Sequence, residues 1–134
     1  MRILIVGEQG RPHPLAGALE TAGVDIERLP DSAAGAARGG DQVSELAAAL
    51  VDFERLFAQG APDAVLLVSV SNLALAAVLV ATKRQIPVAG LEQGAQGEDR
   101  TSELNRRLIE QLADRTVGDD AGTIAASLRD LAGA

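Results

Sequence analysis

The sequence predicts an α/β domain: a single doubly wound, parallel five-stranded sheet with helices on both faces. Three observations carry this. Short aliphatic runs alternate with helix-periodic segments along the whole chain. The runs Ile3-Leu4-Ile5-Val6 and Ala64-Val65-Leu66-Leu67-Val68 are continuously apolar, which is the mark of strands covered on both faces. The 134 residues suffice for one core and are too few for two, so residues 1–134 are read as one domain.

The elements follow in order. Arg2–Val6 is a central strand. Pro14–Ala22 is a helix with Leu15, Ala18 and Leu19 inward and Gly23 as its stop. Val24–Leu29 alternates apolar and polar residues, which suits an edge strand. Pro30–Gly40, mostly Ala, Gly and Ser with one Arg, is read as a flexible loop. Asp41 caps a long helix over Gln42–Gln59, with Val43, Leu46, Ala47, Leu50, Phe53 and Phe57 as its buried stripe and Gly60 at its end. Ala64–Val70 is the third strand. Ser71 caps an apolar helix from Asn72 to about Arg84, and Pro87 forbids its continuation. Val88–Leu91 is the fourth strand. Ser102–Ala113 is a helix with Leu104, Leu108, Ile109 and Leu112 inward. Arg115–Val117 is a weak last strand, and Asp120 opens a final helix carrying Ile124, Leu128 and Leu131. Right-handed crossovers then give the flavodoxin-like strand order 2-1-3-4-5. Ligands of such sheets bind at the carboxyl ends of the strands, between strands 1 and 3. The loops there are Gly7–His13, Ser69–Asn72 and Glu92–Arg100.

Composition excludes several functions. The net charge of −7 argues against phosphate backbones and anionic membranes, so neither a nucleic acid nor a membrane is expected as a partner. Aromatics are 1% of residues, Phe53 and Phe57, which leaves almost no stacking platform for bases and argues against a flavin, and no cofactor is expected. With no cysteine and one histidine, the common zinc sets are absent and no metal site is expected. Residues 64–81 carry no charge, but Ser69, Ser71 and Asn72 interrupt the run, which reads as a strand and a buried helix. Met1–Gly7 is too short for a signal peptide, so a cytoplasmic location is expected.

Candidate chemistry gathers at the strand tips. Gly7-Glu8-Gln9-Gly10-Arg11-Pro12-His13 has the place of a phosphate-binding turn without the glycine spacing of one. Arg11 is a candidate anion contact. His13 is a candidate general base, and a plain loop residue on the other reading. Ser71 and Asn72 either cap a helix or bond a ligand hydroxyl. Glu92 follows a buried strand, where partial desolvation would raise its pKa and suit proton transfer. Gly94 permits close backbone approach. Glu103 and Arg106 open a helix; Glu103 there also suits the helix dipole and pairs with Arg107.

The stretch from Pro62 to Asp114 resembles the non-hydrolysing UDP-N-acetylglucosamine 2-epimerase family. The matching residues are Pro62-Asp63 before the aliphatic strand, Ile86-Pro87-Val88 with Glu92 and Gly94, and Glu103, Asn105 and Arg106 with Leu112-Ala113-Asp114. Met1–Gly7 with Arg11-Pro12 is similar to the family's opening strand and its GTRP turn. The resemblance implies an N-terminal, Rossmann-like domain of a two-domain protein, with a UDP-sugar bound between the domains and most nucleotide contacts made by the other one. It also implies losses. The family's GDT position reads Ser69-Val70-Ser71, so Val70 replaces its catalytic Asp. Ser102 replaces the first PEE carboxylate, and Gly90 the histidine of H-VEAG.

The expectation is therefore a single-domain epimerase-like protein without epimerase activity on its own, binding a UDP-sugar or serving a second protein subunit. Two alternatives remain open. One is a small homodimeric enzyme acting on a sugar nucleotide or another phosphorylated small molecule, an isomerase-like activity with Glu92, Glu103 and His13 catalytic and Arg11, Ser71, Asn72, Gly94 and Arg106 binding. The other is a flavodoxin-like interaction domain. Self-association as a homodimer is expected on all three readings.

Overall fold

The computed structural model describes residues 1–8, 13–30, 41–92 and 99–133. Its elements run β1 (Arg2–Val6), α1 (Pro14–Thr21), β2 (Asp25–Leu29), α2 (Gln42–Gln59), β3 (Ala64–Leu67), α3 (Asn72–Lys83), β4 (Val88–Leu91), α4 (Arg100–Leu112), β5 (Arg115–Val117) and α5 (Ala121–Gly133). All strand pairs are parallel, in the order β2-β1-β3-β4-β5. The predicted fold and strand order are both observed.

Alternate side chains of the central strands feed two cores. Leu4, Val6, Val65 and Leu67 face α2, α3 and α4, where Phe53 and Phe57 pack with their ring centroids 5.6 Å apart. Ile3, Ile5 and Leu66 face α1 and α5, meeting Leu15, Leu19, Ile124 and Leu128. α3 lies between α2 and α4 and is buried over nearly its whole circumference, which accounts for the uncharged run that produced it. No helix among the described residues is long and apolar enough to cross a membrane.

Some details differ from the sequence reading. β3 ends at Leu67, because its ladder to β1 and β4 ends there; Val68 and Ser69 stay buried beyond it. α4 begins at Arg100, two residues early, because Asp99 supplies the cap by accepting the Ser102 N–H at 2.7 Å. Ala18 is exposed, because α1 turns Leu15, Ala16 and Leu19 onto the sheet. Val43 and Ala47 are exposed, since Val43 sits about 80° round the helix from Phe53 and misses the sheet. Leu104 and Leu108 are also exposed, because α4 turns Asn105 and Ile109 inward instead.

Candidate functional site

At the tips of β1 and β3 the backbone closes tightly. Gly7 has φ +104°, a region that favours glycine, and its N–H donates to the Leu29 carbonyl at 2.9 Å. A Cβ on Gly7 would stand 2.2 Å from Ser69 Oγ. Ser69 Oγ in turn lies 3.1 Å from Ser71 Oγ, which accepts the Ala74 N–H at 3.1 Å and caps α3. Ser71 thus performs the cap that the sequence predicts for it.

Glu8 is the residue that sequence reasoning missed. Only 4% exposed, it accepts the His13 N–H at 2.6 Å and lies 4.0 Å from Arg28 Nε. It ties the end of β1 to the start of α1 through His13. A carboxylate placed directly after a strand-tip glycine was the available signal. His13 caps α1, its Nδ1 accepting the Leu15 N–H at 3.2 Å. In the neutral ring this leaves the proton on Nε2.

Beyond the tip of β3, the first turns of α2, α3 and α4 enclose a cleft of about 430 Å³, lined by Gln42, Glu45, Ser71, Asn72, Ser102 and Asn105 among others. A chain of three carboxamides ties its walls together. Asn105 Nδ2 donates to the Val70 carbonyl and to Asn72 Oδ1, both at 3.0 Å, and Asn72 Nδ2 donates to Gln42 Oε1 at 2.5 Å. The Val70 carbonyl can only accept. It therefore fixes the orientation of Asn105, and through it those of Asn72 and Gln42. Asn105 and Asn72 are both buried. Among the described residues, the cleft wall carries Glu45 and Asp99 but no Lys or Arg. Hydroxyl and amide ligands suit such a wall better than a diphosphate does.

The predicted acid–base residues are not brought together. Glu92 is exposed; its N–H joins the Val117 carbonyl at 2.7 Å. Glu103 is bound by Arg106 at 2.5 and 3.1 Å and by Arg107 at 3.3 Å. The hydrogen bond from Arg106, and then that from Arg107, hold its carboxyl below the usual range, so it is ionised at neutral pH. Arg106 also donates to Glu110 at 2.8 Å, and Glu103 followed by Glu110 raises its own pKa further. Its charge is spent on its own helix. Among the described residues, no hydrogen bond or ion pair joins His13, Glu92 and Glu103, and no cluster of three potential metal ligands occurs. Arg11 and Gly94 lie outside the described residues.

Among the described residues, Asp41, Asp99 and Asp120 sit at helix starts. The Ser44 hydroxyl lowers the pKa of Asp41, the Ser102 N–H that of Asp99 and the Thr123 hydroxyl that of Asp120. Since the folded values lie below the unfolded ones, this stabilisation is complete above about pH 4 and is lost as pH falls through the depressed values. Helicity followed by circular dichroism should stay level from pH 7 to about pH 4 and then decline. Asp99→Asn, which caps without titrating, should reduce the acid-induced loss; an unchanged profile would refute the assignment.

A family model described as UDP-N-acetylglucosamine 2-epimerase matches residues 5–119. No curated protein matches significantly. Among solved structures, a UDP-GlcNAc 2-epimerase from Methanocaldococcus jannaschii, in complex with UDP-GlcNAc and UDP, is similar at 22% identity and TM-score 0.73, over 100% of this chain and 44% of that one. One from Neisseria meningitidis, bound to UDP-GlcNAc, is similar at 18% identity and TM-score 0.72, over 95% of this chain and 43% of that one. The chain thus spans less than half the length of these two relatives. A conserved protein from Enterococcus faecalis V583 shares the fold at 15% identity and TM-score 0.53, and there the match covers 97% of this chain and 98% of the other.

Proposed function

The chain belongs to the UDP-N-acetylglucosamine 2-epimerase family, and we propose that it is a nucleotide-sugar-binding module of that family that does not epimerise on its own. The amide-walled cleft carries this reading. It lies at the carboxyl ends of a doubly wound sheet, where ligands of such folds bind. Its fixed amides and hydroxyls fit the sugar end of a nucleotide sugar. Inverting a sugar carbon requires a group that removes a proton and one that returns it. Val70 can do neither, Glu103 is tied up as an ion, and Glu92 stands apart in solvent. The diphosphate would be repelled by Glu45 and Asp99, so it falls to cationic groups elsewhere, on a second polypeptide or at Arg11.

A backbone and side-chain amide NMR titration tests this. UDP-N-acetylglucosamine should give saturable shifts at Ser71, Asn72, Ser102 and Asn105, UDP alone should give smaller ones, and no epimer should accumulate. Absence of shifts at millimolar ligand would sink the binding reading. Conversion of the sugar by the purified chain would sink the claim that it does not epimerise on its own.

A further inference from the structure

Where the three helix starts converge, the cleft wall is dominated by hydrogen-bond acceptors. Asn105 is buried, and its Nδ2 hydrogens are committed to the Val70 carbonyl and to Asn72 Oδ1. What its amide has left for the cleft is Oδ1, an acceptor that meets no donor among the described residues. Asn72 is engaged through both ends of its amide, with Asn105 and with Gln42. Asp99 gives Oδ1 to the Ser102 N–H, and that N–H holds its carboxyl below the usual range. It therefore reaches the cleft as an anion, with lone pairs beyond the cap. Glu45, in the first turn of α2, is half-buried and has no ion-pair partner among the described residues. The first turn of α3 carries no charge. Asp41, which caps α2, and Arg100, which opens α4, are exposed and lie outside the described lining.

We infer that the sugar taken by this cleft carries a free, protonated amino group. The inference rests on the sugar-binding reading above and names the class of sugar. An ammonium has three N–H donors and no acceptor. Glu45, Asp99 and Asn105 Oδ1 are three acceptor groups on the walls of one cleft. A hydroxyl in the same place brings one donor. An acetamido group brings one donor and a carbonyl oxygen that the carboxylates repel. Charge points the same way. A half-buried carboxylate lacks part of its hydration, and a cation beside it gains more than it would in open water. The ammonium also offsets the repulsion that Glu45 and Asp99 exert on the diphosphate of the same ligand. Gln42, whose Oε1 is taken by Asn72, keeps its Nε2 for the hydroxyl oxygens of the sugar.

A side-chain amide NMR titration of the full chain with UDP-glucosamine, UDP-glucose and UDP-N-acetylglucosamine tests the inference. These ligands differ only in the group on one sugar carbon: an amine, a hydroxyl or an acetamide. At about pH 6 the amine is protonated, and UDP-glucosamine should saturate the Asn72 and Asn105 shifts at about one tenth of the concentration the others need. At about pH 9 the amine is neutral, and the advantage should vanish. Glu45→Gln should reduce the advantage at about pH 6 to roughly twofold or less. Asp25→Asn, on the exposed start of β2 at the opposite end of the sheet, should keep it. Equal saturation by the three ligands, or weaker saturation by UDP-glucosamine, would overturn the inference and leave the sugar-binding reading standing. So would an advantage that survives Glu45→Gln or persists at about pH 9, and so would one that Asp25→Asn removes. Shifts from none of the three ligands would sink both readings together.

Discussion

Gly7→Ala should destabilise the protein by about 3 kcal/mol and lower the melting temperature by roughly 10 °C. Two effects add. Gly7 sits at φ +104°, where an L side chain is strained by roughly 1–2 kcal/mol. The new methyl would also meet Ser69 Oγ at 2.2 Å and the Ser69 backbone N at 3.3 Å. Rotating the hydroxyl relieves only the first contact, and it breaks the Ser69–Ser71 hydrogen bond. Insertion into packed surroundings of this kind costs about 1–3 kcal/mol. Adding Ser69→Ala to Gly7→Ala should return part of the loss, because the closest atom is gone while the backbone strain stays. Thermal unfolding of both variants checks this. A Gly7→Ala protein that melts with the wild type would mean that β1 and β3 do not close as described.

That close approach explains what was legible in the sequence and what was not. Every strand and helix left a local trace: continuous aliphatic runs for β1 and β3, Pro87 before β4, Asp41 and Ser71 at helix starts. The order of the sheet followed from crossover handedness. Which side of a helix is buried was less legible. Leu104 and Leu108 fit an inward stripe as well as Ile109 does, until Asn105 is anchored on the Val70 carbonyl and sets the rotation of α4. The site suffered in the same way. Asn105, Asn72 and Gln42 are 33 and 30 positions apart in sequence. A hydrogen-bond chain among neutral amides leaves no spacing pattern to read. Charged residues drew attention instead, and two of them, Glu103 and Arg106, engage each other. Glu8 was hidden because burial of a carboxylate depends on tertiary neighbours, here His13 and Arg28, that lie apart from it in sequence.

The amide chain yields the second large effect. Asn105→Asp changes one NH2 group to oxygen with almost no change of volume, yet it should cost about 3 kcal/mol at neutral pH. Asn105 is 5% exposed, and its Nδ2 group makes two donations, to the Val70 carbonyl and to Asn72 Oδ1. A carboxylate there would face two acceptors and lose both bonds. Its neutral form can still donate one, so burial and neighbouring acceptors would raise the introduced group's folded pKa above its unfolded value near 3.9. The sign then follows from proton binding. Between the unfolded and the raised folded value, the folded state holds more protons, so the variant loses stability as pH rises through that window. The gap in melting temperature from the wild type should therefore be wide at pH 7 and narrower at pH 4. Above about pH 4 the aspartate caps of the wild type are still ionised, so they do not confuse the comparison. An equal gap at both pH values would show that the cost lies in lost shape and not in the direction of the hydrogen bonds. The same substitution should weaken the UDP-N-acetylglucosamine shifts about tenfold or more in ligand concentration, because freeing Asn72 and Gln42 lets the three helix starts drift apart. A variant that folds poorly yet binds with wild-type affinity at pH 4 and pH 7 alike would separate the amide chain from the ligand and remove it from the site.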